Sequence, residues 1–198
     1  LGRPANLHEV TEHGAVSAVV LVEGVSDQRA LEALARRRGR DLAREGVAVV
    51  AIGGAKNVRA FLEHYGPYGL GLTITGMCDA GEAGDFARAA GLAGVGQSRD
   101  AADLDALGFS VCVADLEDEL IRSLGPARVE QVIETQGEMG SFRTFQKQAS
   151  QRERSVEQQL RRFMGTKGGR KVRYSPLLVD ALDLTNVPRP LERVLARV

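Results

Sequence analysis

At 198 residues, with 43% hydrophobic content, the chain can bury a sizeable core without disulfides or zinc, and one domain with an appendage is expected. Its 26 Lys and Arg balance 26 Asp and Glu, and its two cysteines, Cys78 and Cys112, lie inside apolar runs; a disulfide scaffold is excluded, and a reducing cytoplasm fits. No apolar run approaches the roughly 20 residues a membrane helix requires, and no charged-then-apolar leader is seen, so a protein free of the membrane is expected.

In chain order, short β-branched runs predict strands at Ala18 to Val22, Val47 to Ile52, Leu70 to Met77 and Phe109 to Ala114. Between them, apolar residues at three- and four-residue steps predict helices at Gln28 to Arg38, Asn57 to Tyr65 and Glu82 to Ala90. This alternation requires βα crossovers and therefore an α/β, Rossmann-like fold with a mainly parallel, four-stranded sheet and flanking helices. After Ala114 only helical patterns follow: Glu117 to Leu124, Ala127 to Thr135, Ser141 to Gln148, Ser155 to Met164, Ser175 to Leu182 and Pro190 to Val198. The expected organisation is an α/β core over 1–125 and a helical, basic C-terminal extension over 126–198. The start at Leu1 rather than Met is the one expected of a segment of a longer chain.

Parallel sheets gather ligands beyond the carboxyl ends of their strands, so the residues after each apolar run carry the most information. The first run ends in VLVEGVSDQRAL: Glu23 falls at the strand end, Gly24 permits a tight turn, Ser26 can cap the next helix and Asp27 lies in its first turn. An isolated Asp27 is explained by the helix dipole alone, whereas Glu23 has no such explanation. The third run places Asp79 after a strand with Glu82 at the start of the next helix, and the fourth places Asp115 and Glu117 there. Any one of these is an ordinary helix cap; carboxylates after three separate parallel strands are not dismissed so simply. Converging acids repel, need cations, and offer the hard oxygen ligands that suit Mg²⁺ or Mn²⁺. His8, His13 and His64 are scattered, which argues against zinc.

From Arg143 to Arg173 the chain holds ten Lys or Arg against Glu153 and Glu157. A solvated helix face is the commoner explanation of such a run, and a phosphate-facing surface is the functional one. Gly165, Gly168 and Gly169 break the helical pattern beside Lys167, Arg170 and Lys171, which predicts a mobile basic loop.

The strings VVLVEGVSDQRALEALA, VAVVAIGGAKNVRAFL, the strand-end Asp and CVADLEDEL together resemble a TOPRIM domain, in the branch found in overcoming-lysogenisation-defect (OLD) nucleases, from about Ser17 to Val198. The resemblance implies metal-dependent hydrolysis of phosphodiester bonds, in DNA before RNA, with two Mg²⁺ or Mn²⁺ ions. It implies metal ligation by Glu23, Asp27, Asp79, Asp115 and Glu117. Glu23 is also implied as a catalytic group. The KVRYSPLL string places Lys171 where the family carries a lysine that stabilises charge on the scissile phosphate, with Lys167 as its rival. Arg161, Arg162, Lys167, Arg170 and Lys171 are the expected nucleic-acid-binding group. The usual Asp-x-Asp motif is broken, since Asp79 is followed by Ala80 and Gly81, which leaves Glu82 or Asp85 to supply the missing carboxylate. Full-length members carry an ATPase, and no GxxxxGK[ST] loop stands in this sequence, so an ATPase is expected as a separate partner or a further domain.

The competing reading is a non-catalytic TOPRIM module that binds nucleic acid or recruits a partner. A phospho-acceptor receiver domain fits less well, because Lys171 lies in the helical region and Asp115 with Glu117 has no receiver role.

Overall fold

The computed structural model describes residues 16–198, so His8 and His13 lie outside the described residues. Four strands, β1 (Ala18–Val22), β2 (Val47–Ala51), β3 (Thr73–Asp79) and β4 (Phe109–Cys112), form one sheet in the order β2-β1-β3-β4. All three pairings are parallel, with Val22 opposite Ala51, Leu21 opposite Gly76 and Asp79 opposite Cys112. Helices α1 (Val25–Arg37), α2 (Val58–Tyr65), α3 (Ala83–Leu92) and α4 (Ala101–Ala106) lie between strands. After β4 come α5 (Leu116–Leu124), α6 (Pro126–Thr135), α7 (Met139–Gln146), α8 (Val156–Met164), α9 (Arg170–Ala181) and α10 (Arg189–Leu195).

Every residue of β1 is buried, as an apolar run in the middle of a parallel sheet should be. Its period of two divides the core between the sheet faces. Ala18, Val20 and Val22 join a cluster containing Leu31 and Leu34 of α1, Tyr174 and Leu178 of α9 and Val194 of α10. Val19 and Leu21 join a second cluster with Phe61, Phe86 and Phe109. The helices after residue 125 therefore share a core with the sheet rather than trailing from it. Close packing also explains Gly76 in the buried part of β3: a Cβ there would stand 2.3 Å from the Leu21 carbonyl oxygen.

The described elements depart from the expected ones at several boundaries, the first helix starting at Val25 rather than Gln28 and β4 ending at Cys112 rather than Ala114. Strand β3 begins at Thr73, not Leu70, because Leu70 N–H bonds to the His64 carbonyl and Leu72 N–H to that of Tyr65, closing the end of α2. A short α4 appears, its first N–H groups at Ala102 and Asp103 bonded to the Asp100 side chain. Helix α9 starts at Arg170 rather than Ser175, so Arg170 and Lys171 belong to its first turn and not to a basic loop. Among the described residues, no helix is long and apolar enough to cross a membrane.

Candidate metal and nucleic-acid site

The end of β1 turns directly into α1. The Gly24 N–H donates to Asp27 Oδ2 at 2.9 Å, so Asp27 closes its own helix, a role expected for Ser26, which makes no cap bond. Glu23, one residue past the strand, accepts the Asp79 backbone N–H on Oε1 at 2.9 Å and so ties the ends of β1 and β3 together. Asp79 ends β3, and the 3₁₀ turn Ala80–Glu82 brings the Glu82 carboxyl within hydrogen-bonding reach of Glu23. Two carboxylates can share such a contact only through a proton or a cation. Glu82 Oε2 is buried and finds no donor among the described residues. Asp85, the rival of Glu82, points instead to Arg88 at 3.0 Å on the surface.

On the other side, Asp115 caps α5 by accepting the Asp118 N–H on Oδ1, and its Oδ2 accepts from Arg161 Nε at 2.8 Å. Buried Glu117 accepts from Lys171 Nζ at 2.9 Å on Oε2, while its Oε1 is buried without a donor among the described residues. Helix α9 supplies Lys171 because it packs against α1 and α5.

The acids lie close enough for their charges to act on one another. Burial pushes Glu23 up to about 8, helped by the Glu82 carboxyl and opposed by the Asp79 N–H. Burial pushes Asp79 up to about 7, with the charges of Asp115, Asp27, Glu117 and Glu82 adding to it. Asp27 rises to about 6, through burial and the Glu117 charge, with the Gly24 N–H and Lys171 pulling the other way. Burial works against the Lys171 charge, yet its hydrogen bond to Glu117 and the charges of Glu117, Asp115 and Asp27 outweigh that and raise its pKa. Arg161 likewise gains from Asp115 more than burial removes. All six expected acids thus gather beyond the carboxyl ends of β1, β3 and β4.

The acids are nevertheless not drawn into a ready-made cage: among the described residues, no three His, Cys, Asp or Glu side chains are grouped so as to hold one ion. The donor chemistry still fits a hard divalent cation. Every candidate donor is a carboxylate oxygen, burial above all, with neighbouring acids adding to it, raises the pKa of three of the acids, and two buried oxygens lack a donor among the described residues. His64, in the last turn of α2, packs edge-on to Tyr65 instead.

The basic group divides. Arg162 and Lys167 are exposed and form no ion pair among the described residues. Arg170 does not belong with them, which corrects its expected role in nucleic-acid binding. Its buried guanidinium bonds to both Glu138 oxygens at 3.2 Å, to the Phe163 carbonyl at 2.8 Å and to Thr166, and lies 3.9 Å from the centre of the Phe163 ring. Four of its five N–H donors are thereby engaged inside the protein. Sequence reasoning missed this hub because Glu138 lies 32 residues away from Arg170.

Residues 16–80 match the family described as overcoming lysogenization defect protein-like, TOPRIM domain. The fold is similar to the C-terminal region of the Burkholderia pseudomallei OLD protein, with 18% identity, a TM-score of 0.70, and 92% of this chain and 96% of that one covered. It is also similar to the C-terminal region of the Xanthomonas campestris pv. campestris OLD protein, with 20% identity, a TM-score of 0.68, and 92% and 91% covered. No curated protein matches the sequence. TOPRIM domains generally bind divalent metals, and this one supports a nucleic-acid-related function. The chain is therefore similar to the OLD-like TOPRIM family over residues 16–80, and its fold is that of the C-terminal regions of OLD proteins.

Proposed function

We propose that the protein is a divalent-metal-dependent nuclease that hydrolyses phosphodiester bonds, in DNA before RNA. The observation that carries this reading is the pair of buried, donorless carboxylate oxygens, Glu82 Oε2 and Glu117 Oε1, among acids whose pKa values burial and crowding have raised. An uncompensated buried carboxylate oxygen is costly, and a cation is the natural partner where other acids stand close by. Glu23, Asp27, Asp79, Glu82, Asp115 and Glu117 are the acids that would supply oxygen ligands to Mg²⁺ or Mn²⁺, with Asp115 and Glu117 serving a second ion. Bound ions would supply a water of lowered pKa and stabilise charge on the attacking and leaving oxygens.

The chain's own side chains do the rest. Glu23 holds the β1 and β3 ends in register through the Asp79 N–H, which fixes where its free oxygen can point. Lys171, half-exposed and charged, faces Glu117 from the first turn of α9 and can offer its remaining N–H donors to a phosphate oxygen as charge grows there. Arg161 holds Asp115 from α8 and keeps part of its guanidinium exposed. An ATPase, as a partner or as a further domain of a longer protein, belongs to the same reading.

The test is incubation of the purified protein with supercoiled plasmid and with single-stranded substrates in Mg²⁺, Mn²⁺, Ca²⁺ or chelator. Cleavage in Mg²⁺ or Mn²⁺ that chelator stops is expected. Binding in Ca²⁺ with no cleavage under any metal would replace the nuclease reading with that of a recruiting module.

A further inference from the structure

A crevice lined by six acids repels the polyanion it is meant to hold. The cations facing it, Arg161 and Lys171, are already bonded to Asp115 and Glu117. Both also come from the same side, the α8 and α9 layer, as do the exposed Arg162 and Lys167. A strand anchored there alone would be held at one end and pushed away at the other.

The opposite flank is the carboxyl end of β2, the edge strand on the far side of β1. There the chain runs Ile52-Gly53-Gly54-Ala55-Lys56-Asn57 before α2. The Gly53 and Gly54 N–H groups both donate to the Glu23 carbonyl, at 2.9 and 3.1 Å, which ties this loop to a site acid. Gly53 and Gly54 have φ of 72° and 109°, values that side chains rarely adopt. Asn57 Nδ2 returns to the Ile52 and Gly53 carbonyls at 2.9 and 3.2 Å, and Ala55 and Val58 are buried on either side. Lys56 is thus an exposed cation on a loop fixed from below. It forms no ion pair among the described residues, whereas Arg59 is bound to Glu63 and Arg88 to Asp85.

We infer that Lys56 is a phosphate anchor on the β2 flank, so that a nucleic-acid strand crosses the acidic crevice between Lys56 on one side and Arg162 with Lys167 on the other. The inference rests on the proposed nuclease function and adds the path of its substrate. Three strand spacings separate β2 from β4, roughly 14 Å. That is the axial rise of roughly four nucleotides in one strand of a duplex, so a backbone crossing from the β2 end to the β4 end carries an intervening phosphate over the acids. A lysine is a point charge that suits a phosphate without reading its base, so the contact should be indifferent to sequence.

The experiment measures binding of a fluorescein-labelled 30-mer, duplex and single-stranded, in Ca²⁺ across a salt series. Lys56→Gln should weaken binding alike for unrelated sequences and reduce the slope of log affinity against log salt by about 1, while Lys56→Arg keeps both. Its melting temperature should match wild type, since the Lys56 side chain is exposed and makes no hydrogen bond or ion pair among the described residues. Arg44→Gln is the control, because Arg44 precedes β2 and so lies at the amino edge of the sheet. If Lys56→Gln leaves affinity and slope unchanged while Arg162→Gln lowers them, the anchor is wrong and the nuclease reading stands. Equal losses in Lys56→Gln and Arg44→Gln would also overturn it, since the contact would then be diffuse. Wild-type protein that binds neither form would instead defeat the nucleic-acid reading itself.

Discussion

On the flank built by β1 and β3, Glu23 and Glu82 face each other with no basic side chain bonded to either among the described residues. On the flank built by β4 and α5, each acid has its base: Arg161 for Asp115 and Lys171 for Glu117. On the first flank burial, helped by the Glu82 carboxyl, pushes Glu23 up to about 8, which favours a retained proton there. The second copes by borrowing cations from α8 and α9. One crevice therefore offers a cation two kinds of entry: displacement of a proton at one end, and competition with a protein cation at the other.

The largest expected effect comes from the proton-retaining flank. Glu23→Gln keeps an oxygen for the Asp79 N–H but cannot ligate as a carboxylate, so metal-dependent cleavage should fall at least about 10³-fold, the scale on which lost electrostatic stabilisation is felt. Melting temperature at pH 8 should stay level or rise, because a crowded charge has been removed. Wild-type cutting by this variant would show that the first flank does not take part in catalysis.

Lys171→Ala probes the cation-borrowing flank. Cleavage should drop about 10²-fold while binding in Ca²⁺ stays near normal, the pattern of a residue acting on the transition state. The same variant leaves Glu117 buried and unpaired, so added Mg²⁺ should raise its melting temperature more than it raises that of wild type. Lys167→Ala should do the reverse, lowering affinity and leaving turnover intact. If the two variants exchange behaviour, the phosphate-facing role passes to Lys167.

Most of this contrast is invisible in a linear sequence, although much of the scaffold is not. Strand and helix alternation through residue 114 was legible because β1 is apolar at every position and the helices carry one apolar face each. Glu23, Asp79 and Asp115 were legible as strand-end acids. What stayed hidden depends on long-range contact. Arg161 meets Asp115 across 46 residues and Lys171 meets Glu117 across 54. The start of α9 was hidden by local signals, since Gly168 and Gly169 speak for a loop and Pro176 for a helix beginning, whereas burial of Tyr174 against the core carries the helix back to Arg170.

Arg170 shows the same lesson as a measurable cost. Its neighbours in the basic run are solvent-facing, but its side chain is almost fully enclosed and answers the part-buried Glu138. Arg170→Ala should lower stability by about 3–5 kcal/mol, as removal of one partner from a buried ion pair does, without a selective change in salt slope. Urea denaturation beside the salt titration separates the two. A stable Arg170→Ala variant with a reduced slope would return this residue to the nucleic-acid surface.

The smallest effect, and the most direct reading of the two flanks, is the pH dependence of stability. Asp27, Asp79 and Glu23 titrate near 6, 7 and 8 when folded, against ordinary values of 3.8 and 4.5. A folded state that holds protons more tightly than the unfolded chain is favoured at low pH, so this contribution is complete below about pH 4 and is lost as pH rises through the folded values. In chelator, melting temperature should therefore fall by a few degrees between pH 5 and 8. Divalent cation replaces the departing protons, so Mg²⁺ should raise melting temperature more at pH 8 than at pH 5 and flatten the profile. Glu23→Gln removes the group with the highest folded value, so its chelator profile should be shallower from about pH 5 to 8 and nearly flat above about pH 7, keeping only the fall set by Asp27 and Asp79. A wild-type profile that is flat in chelator, or a Mg²⁺ gain that is equal at both pH values, would mean that the acids of the first flank are not crowded in solution.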